Sequence, residues 1–235
     1  MEIGNAPAAA THEQACERVA ALFARPWLRH YVASKLRSDP VFRAAWEVLG
    51  DSREPVLDVG CGVGLLPFYL RERGFEPPIV GVDADARKVR EAQKVSRGRY
   101  ANVEFVEHDV SNPLPDFRGN VALLDLLHYL PPARQQALLG ELAGQVPRGG
   151  ALLLRDCPRD GSARFWMTYA GEVFAQTIAW NMGVPLHFPT RDSINAPFHE
   201  QEFERDEVPA YGGTPFNNRL FTFRRRASAV APAAG

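Results

Sequence analysis

Asp58, Gly60, Gly62 and Gly64 fall at every second position of Pro55-Val56-Leu57-Asp58-Val59-Gly60-Cys61-Gly62-Val63-Gly64. The run before Gly60 is apolar and rich in β-branched residues, and an apolar stretch of helical character begins at Leu65. A strand, a glycine turn and a helix start are therefore predicted in succession. Glycine has no Cβ and accepts positive φ, so such a turn brings backbone close to a ligand. The spacing restricts the ligand. Seating a pyrophosphate at the helix N-terminus takes G-x-G-x-x-G, and Leu65 stands where the third glycine should be. Asp58, two residues before the first glycine, would repel a pyrophosphate but suits a cation or the ammonium of an amino acid.

The elements that must hold this turn can be read around it. Apolar Ala15, Val19, Leu22 and Phe23 make a helical stripe over about 11–24. Asp39-Pro40 is a helix start, with Asp as N-cap and Pro in the first turn, and Gly50 ends that helix. Two or three helices thus precede the first strand. Strands are then predicted at 55–60, 78–83, 103–106, 121–125 and 151–156, with helices over 65–73, 85–97 and from Pro131-Pro132 to about Gly144. This alternation predicts an α/β fold with a doubly wound parallel sheet. The unbroken apolar run Ala151–Leu154 suits a strand covered on both faces. Beyond Cys157 an aromatic helix over 162–180 and a Pro-containing segment precede two final strands at 202–208 and 218–224.

With 235 residues, one domain over 11–226 is the economical reading, divided into 11–50, 55–156 and 157–226, with Ala/Pro-rich tails at 1–10 and 227–235. The net charge of −1 speaks against a nucleic-acid partner, and Arg224-Arg225-Arg226 reads as a solvated terminus. Cys16, Cys61 and Cys157 are too scattered for a disulfide framework or metal cluster, which implies a reducing compartment. The absence of a membrane-spanning run or a signal peptide makes a cytoplasmic location the expectation.

Three further landmarks follow the glycine loop in order. Asp83 ends the second predicted strand, where an acid can accept hydrogen bonds from both hydroxyls of a ribose. His108-Asp109-Val110 follows the third, and Leu124-Asp125-Leu126-Leu127-His128-Tyr129-Leu130 follows the fourth. Pro147-Arg148-Gly149-Gly150 then leads into the fifth. All lie at the carboxyl ends of strands, where open α/β sheets bind ligands. Together they resemble the class I (Rossmann-like) S-adenosylmethionine-dependent methyltransferases of small-molecule type. The resemblance covers residues 55–156. It implies a mostly parallel seven-stranded sheet with an antiparallel last strand, and an N-terminal helical lid. It also implies S-adenosyl-L-methionine as cofactor. Asp58, Gly60, Cys61, Gly62 and Gly64 would line it, with Asp83 and Ala84 at the ribose, Asp109 and Val110 at the adenine, and Asp125 beside the methionine portion.

The acceptor side is less determined. His128 could be a base at neutral pH, or a structural histidine packing on the first helix of the sheet. Tyr129 could line the same wall. Tyr31 and Lys35, four apart on one helix face, could belong to the lid, with Arg29, His30 or Lys35 meeting an anionic substrate. The same face also reads as solvated amphipathic surface. Trp166 lies on the aromatic helix, which is more often core than pocket. Phe216 and Asn217 sit in a loop, 211–218, that could rim the acceptor site.

The expected reaction is in-line methyl transfer to a small, partly apolar acceptor, with O-methylation of a carboxylate or phenol favoured. An NAD(P)-dependent oxidoreductase is the alternative, disfavoured by Leu65 and by a Tyr31-x-x-x-Lys35 pair that precedes the nucleotide loop. A non-catalytic nucleotide-binding scaffold is the other. No metal is expected, because Asp125 and Asp156 lack the Asp-Asn pair of metal-dependent catechol-type enzymes. The oligomeric state stays open.

Overall fold

The computed structural model describes residues 10–177 and 185–227. Three helices come first: α1 (His12–Ala21), α2 (Pro26–Ser38) and α3 (Val41–Leu49). Thr11 caps α1 in a reciprocal capping box with Gln14, and Asp39 Oδ1 accepts the Val41 N–H at the start of α3. The alternating part follows as β1 (Val56–Val59), α4 (Leu65–Glu72), β2 (Ile79–Asp83), α5 (Ala86–Ser96), β3 (Val103–Glu107), β4 (Asn120–Leu124), α6 (Pro132–Gln145) and β5 (Ala151–Asp156). Then come α7 (Ala163–Thr177), the short α8 (Arg191–Asn195), β6 (Phe203–Pro209) and β7 (Arg219–Arg225). The predicted helix over 162–180 is seen to Thr177, and its remainder, with Trp180, lies outside the described residues, as do residues 1–9 and 228–235 of the tails. Two elements had no sequence signal of their own: α8, inside the Pro-containing segment, and a 3-10 turn at Leu127–Tyr129.

The seven strands form one sheet in the order β3-β2-β1-β4-β5-β7-β6. Strands β1 to β5 are parallel, β7 runs against β5, and β6 runs against β7 and hence with the rest. The chain crosses from β1 outward to β2 and β3, then back past β1 to β4, so the strand order reverses between β1 and β4. In open α/β sheets that reversal opens the binding crevice.

Period-2 side-chain alternation divides the core into two layers. Val56, Ile79, Phe105, Ala122 and Leu153 face a cluster with α1–α5. Leu57, Val82, Val121, Leu123, Leu152 and Leu154 face a second cluster with α6, Ile194 and Phe198. Both faces of β5 are therefore covered, which is why Ala151–Leu154 shows no polar alternation. Phe105 fills the space under the glycine turn. A Cβ on Gly64 would stand 2.7 Å from its ring, and Gly64 itself sits at φ +85°, so steric crowding and backbone conformation both require glycine there.

Candidate functional site

Strand β1 delivers Asp58 to the end of the crevice and the turn folds back over it. Gly60 and Cys61 both donate N–H bonds to Val82 O, which fastens the turn to β2 at 2.8 and 3.0 Å. Gly62 sits at φ +57°, and no atom lies within 4 Å of where its Cβ would be, so the space above it is open. Burial pushes the Cys61 thiol up, and Cys61 acts as a packing residue.

Asp58 is 3% exposed, and no hydrogen bond to its carboxylate is found among the described residues. Burial, with the nearby Asp83 charge adding to it, raises its pKa from 3.8 to about 7. A buried carboxylate without a partner costs several kcal/mol, of the order of ~1–3 even for a lesser polar group. It faces a cavity of ≈ 160 Å³ lined by Tyr31, Lys35, Gly60, Cys61, Gly62, Lys88, Asp125 and Arg155, among others. The donor set that would satisfy it is a ligand ammonium.

Asp83 is positioned differently. Its Oδ2 accepts from Gly62 N at 2.9 Å and its Oδ1 from Asp85 N at 2.8 Å. Each oxygen keeps a lone pair for a further donor, the arrangement two vicinal hydroxyls would match. Ala84 is exposed beside it. Asp109 is exposed after β3, its Oδ1 accepting the Ser111 N–H at 2.8 Å, and that bond lowers its pKa. Val110 is buried and its carbonyl accepts from Arg134 Nε. Asp83 ends β2 and Asp109 follows β3, both at the carboxyl edge of the sheet.

At the other end of the cavity four charges interlock. The Arg155 guanidinium, 2% exposed, forks onto both carboxylate oxygens of Asp125 and also bonds Asp39. Lys35 Nζ lies 2.8 Å from Asp39 Oδ2 and 3.9 Å from Asp125 Oδ2. Burial opposes ionisation of Asp125, but Arg155 and Lys35 outweigh it and bring its pKa down to about 2. Asp125 holds φ +57°, a left-handed conformation rare outside glycine and a marker of functional turns. Asp125 and Lys35, expected to meet cofactor and substrate, line the cavity with charges already engaged by each other and by Arg155. Arg155 and Asp39 complete the cluster and were not among the expected site residues. The signal was an arginine inside a buried strand, Leu152-Leu153-Leu154-Arg155, which must have partners.

Of the two readings of His128, a base or a structural histidine, its contacts support the second. Its Nδ1 lies 2.9 Å from Asp156 Oδ1, its ring stacks on Phe188 at 5.1 Å, and Glu172 stands 3.9 Å from Nε2. Burial alone would lower its pKa, but Asp156 and Glu172 outweigh it and push it up to about 10. That shift favours the imidazolium form in a network that joins β5, the 3-10 turn and α7. Tyr129 donates its hydroxyl to Glu172 at 2.7 Å, and burial raises its pKa, so it is not a base either. The ion pair's stabilisation is complete below pH 6.5 and is lost as pH rises through about 10. Thermal melts from neutral to alkaline pH should show that fall. Asp156→Asn should lower stability at pH ~7 by about 1–3 kcal/mol and flatten the fall; a variant that melts like wild type would remove the ion pair from this account.

The remaining expected acceptor residues separate. Tyr31 lines the cavity. Arg29 Nε donates to Phe23 O and holds the α1–α2 connection instead. Trp166 is 60% exposed and off the cavity. Phe216 packs on Gly171, and buried Asn217 donates to Asp160 and Pro158 O while its N–H bonds Thr168, so the 211–218 loop is pinned to α7. Phe216 and Asn217 do not line the described cavity, while Gly212 of the same loop lies against Ser38 and Pro40 at the α2–α3 junction. Among the described residues, no three His, Cys, Asp or Glu side chains gather where they could hold a metal ion.

A doubly wound sheet ordered 3-2-1-4-5-7-6, with a glycine turn after β1 and an acid ending β2, defines the class I methyltransferase fold. Residues 56–150 match the family described as "Methyltransferase domain", and that segment is a methyltransferase domain with the class I, Rossmann-like fold. Ribosomal protein L11 methyltransferase of Burkholderia vietnamiensis is 30% identical over 120 residues, covering 50% of this chain and 37% of that protein. The Burkholderia ambifaria protein of the same name is 31% identical over 135 residues, covering 50% and 43%. The chain thus spans less than half the length of these curated relatives. Magnesium protoporphyrin IX methyltransferase from Synechocystis, solved with bound S-adenosylhomocysteine, superposes with a TM-score of 0.59 at 20% identity, covering 94% of this chain and 90% of that one. The pyocyanin biosynthetic protein PhzM superposes with a TM-score of 0.61 at 17% identity, covering 88% and 61%.

Proposed function

We propose that this protein binds S-adenosyl-L-methionine and transfers its methyl group to a small, partly apolar acceptor. The observation that carries this reading is Asp58, a buried carboxylate with no hydrogen-bond partner among the described residues, facing a cavity floored by Gly60 and Gly62 at the sheet's crevice. An amino-acid ammonium satisfies it, and a pyrophosphate does not. Asp83 would take the ribose hydroxyls through the oxygen lone pairs its backbone bonds leave over. The sulfonium of the cofactor supplies an already activated methyl. What the chain adds is position and exclusion of water. Holding the acceptor in line can be worth about 7–11 kcal/mol of barrier. Tyr31 and the engaged Lys35–Asp125–Arg155 cluster would form the wall against which the acceptor is held.

The locked His128 favours acceptors that need no base, which is why O-methylation of a carboxylate is the preferred chemistry and a phenol the next. The L11 methyltransferase relatives match only part of the chain, and the family match spans 56–150, the cofactor side, so neither speaks for a protein acceptor. The match to a methyltransferase family also weighs against the dinucleotide oxidoreductase and the scaffold readings.

Calorimetry with S-adenosylmethionine, S-adenosylhomocysteine and NAD tests the proposal. Micromolar binding of the first two and none of NAD is expected; no binding of either sulfur compound would sink it. Asp83→Ala should weaken S-adenosylhomocysteine by roughly 1.5–3 kcal/mol, the worth of hydrogen bonds to a charged group.

A further inference from the structure

A second concavity, of ≈ 530 Å³, opens between the start of α2 and the outer side of α5. Val63 and Lys88 line both it and the cavity beneath Asp58, so the two adjoin. Its floor is apolar, from Leu28 and Val63, and Trp27 flanks it. Its walls are cationic. Arg25 stands on one side, and Lys88, Arg90 and Lys94 stand on the other. None of these four makes an ion pair or a side-chain hydrogen bond among the described residues. Arg87, the fifth cation, is forked onto Asp85, which also caps α5. Glu91 is the remaining carboxylate of the lining.

Four unpaired cations from two separate elements around one concavity, in a chain whose net charge is −1, form a local anion trap. A solvated helix face explains the α5 row but not Arg25, which the α1–α2 connection sets opposite that row. Guanidinium groups fork onto phosphate oxygens and ammonium groups meet them as point charges. The size is that of a small-molecule site, commonly about 300–1,000 Å³.

We propose that this groove is an anion subsite that holds a phosphate or diphosphate group of the acceptor, whose reactive end lies in the adjoining cavity. The proposal rests on the methyl-transfer reading for what the bound molecule is, but not for the binding itself. The recognised chemistry is a small, multiply charged phosphate, because Arg25 faces the α5 cations across the concavity, so that both walls can meet one group.

The test is calorimetric titration of the full chain with inorganic pyrophosphate at low salt, beside a titration with S-adenosylhomocysteine. Arg90→Ala/Lys94→Ala, two exposed α5 positions off the cofactor cavity, is the variant. Saturable pyrophosphate binding, weakened about tenfold or more in the variant while S-adenosylhomocysteine changes less than about twofold, is expected. No saturable binding, or equal binding by the variant, overturns the proposal. A single-stranded RNA oligonucleotide that binds and is not displaced by pyrophosphate overturns it as well, since the surface would then be a nucleic-acid track. Pyrophosphate bound without S-adenosylhomocysteine would sink the methyltransferase reading and leave the groove standing; the reverse pattern would sink the groove alone.

Discussion

Arg155→Met should cost this protein about 2–4 kcal/mol of stability, somewhat less than the ~3–5 typical of breaking a wholly buried ion pair. The guanidinium donates side-chain hydrogen bonds to both Asp125 and Asp39, and Arg155 is 2% exposed. Methionine fills similar volume, so the loss is electrostatic. Asp39, with a side chain 10% exposed, is left worst off; Asp125, at 36%, recovers some water. Lys35 remains, but at 3.9 Å from Asp125 it cannot replace a forked pair. For a chain of this size that loss lowers Tm by roughly 4–16 °C. Calorimetric melting reads it, and a drop under about 1 kcal/mol would show that the cluster is not a stability element.

The location of the loss matters as much as its size. Lys35 is on α2, Asp39 precedes α3, Asp125 follows β4 and Arg155 belongs to β5. The cluster is therefore the polar bond between the N-terminal helices and the sheet, at the cavity wall. In Arg155→Met, hydrogen exchange should rise first in residues 26–49, before the sheet opens. Exchange that rises evenly over the chain would mean that the helices are held by their apolar faces alone. The low pKa of Asp125 adds an acid signature: its contribution is present above 3.8 and is lost as pH falls through about 2.

The core of the sheet was legible because its strands carry a local signal: short apolar runs ended by glycine or aspartate at β1, β2, β4 and β5. The loop geometry around Gly60–Gly64 was legible for the same reason, since positive φ is written in the residue type. His128 shows where this stops. Its type permits a base, and only the approach of Asp156 and Glu172 from two other elements raises its pKa and favours the charged form. Phe216 packs on Gly171 of α7 and Asn217 bonds Thr168, Asp160 and Pro158 O, contacts that no spacing rule contains. The helix α8 is too short to show periodicity, and the capping box of Thr190 with Ser193 is seen only in the fold. Local chemistry was thus readable, and contacts between distant elements were not.

Asp58→Asn should weaken S-adenosylhomocysteine binding by about 3 kcal/mol, more than a hundredfold, because the ligand's ammonium would lose the one buried carboxylate placed to meet it. The pH dependence makes the test specific. With a pKa of about 7 in the free protein, Asp58 is largely protonated at pH ~6 and must ionise to receive the ammonium. Wild-type affinity should therefore fall as pH drops below 7, and binding at pH ~6 should release close to one proton, measurable from calorimetry in two buffers of different ionisation enthalpy. The asparagine variant should show neither effect. Stability without ligand should move the opposite way. A carboxyl whose pKa is raised by folding contributes most below 3.8, and that contribution disappears as pH rises through about 7. Above pH ~7 the wild type carries an uncompensated buried charge, and Asp58→Asn should melt higher than wild type there while binding far more weakly. A variant that binds as wild type does, or that is less stable at every pH, would show that Asp58 serves the fold rather than the ligand. Stability gained where affinity is lost is the signature of a group kept unpaired for a molecule that arrives later.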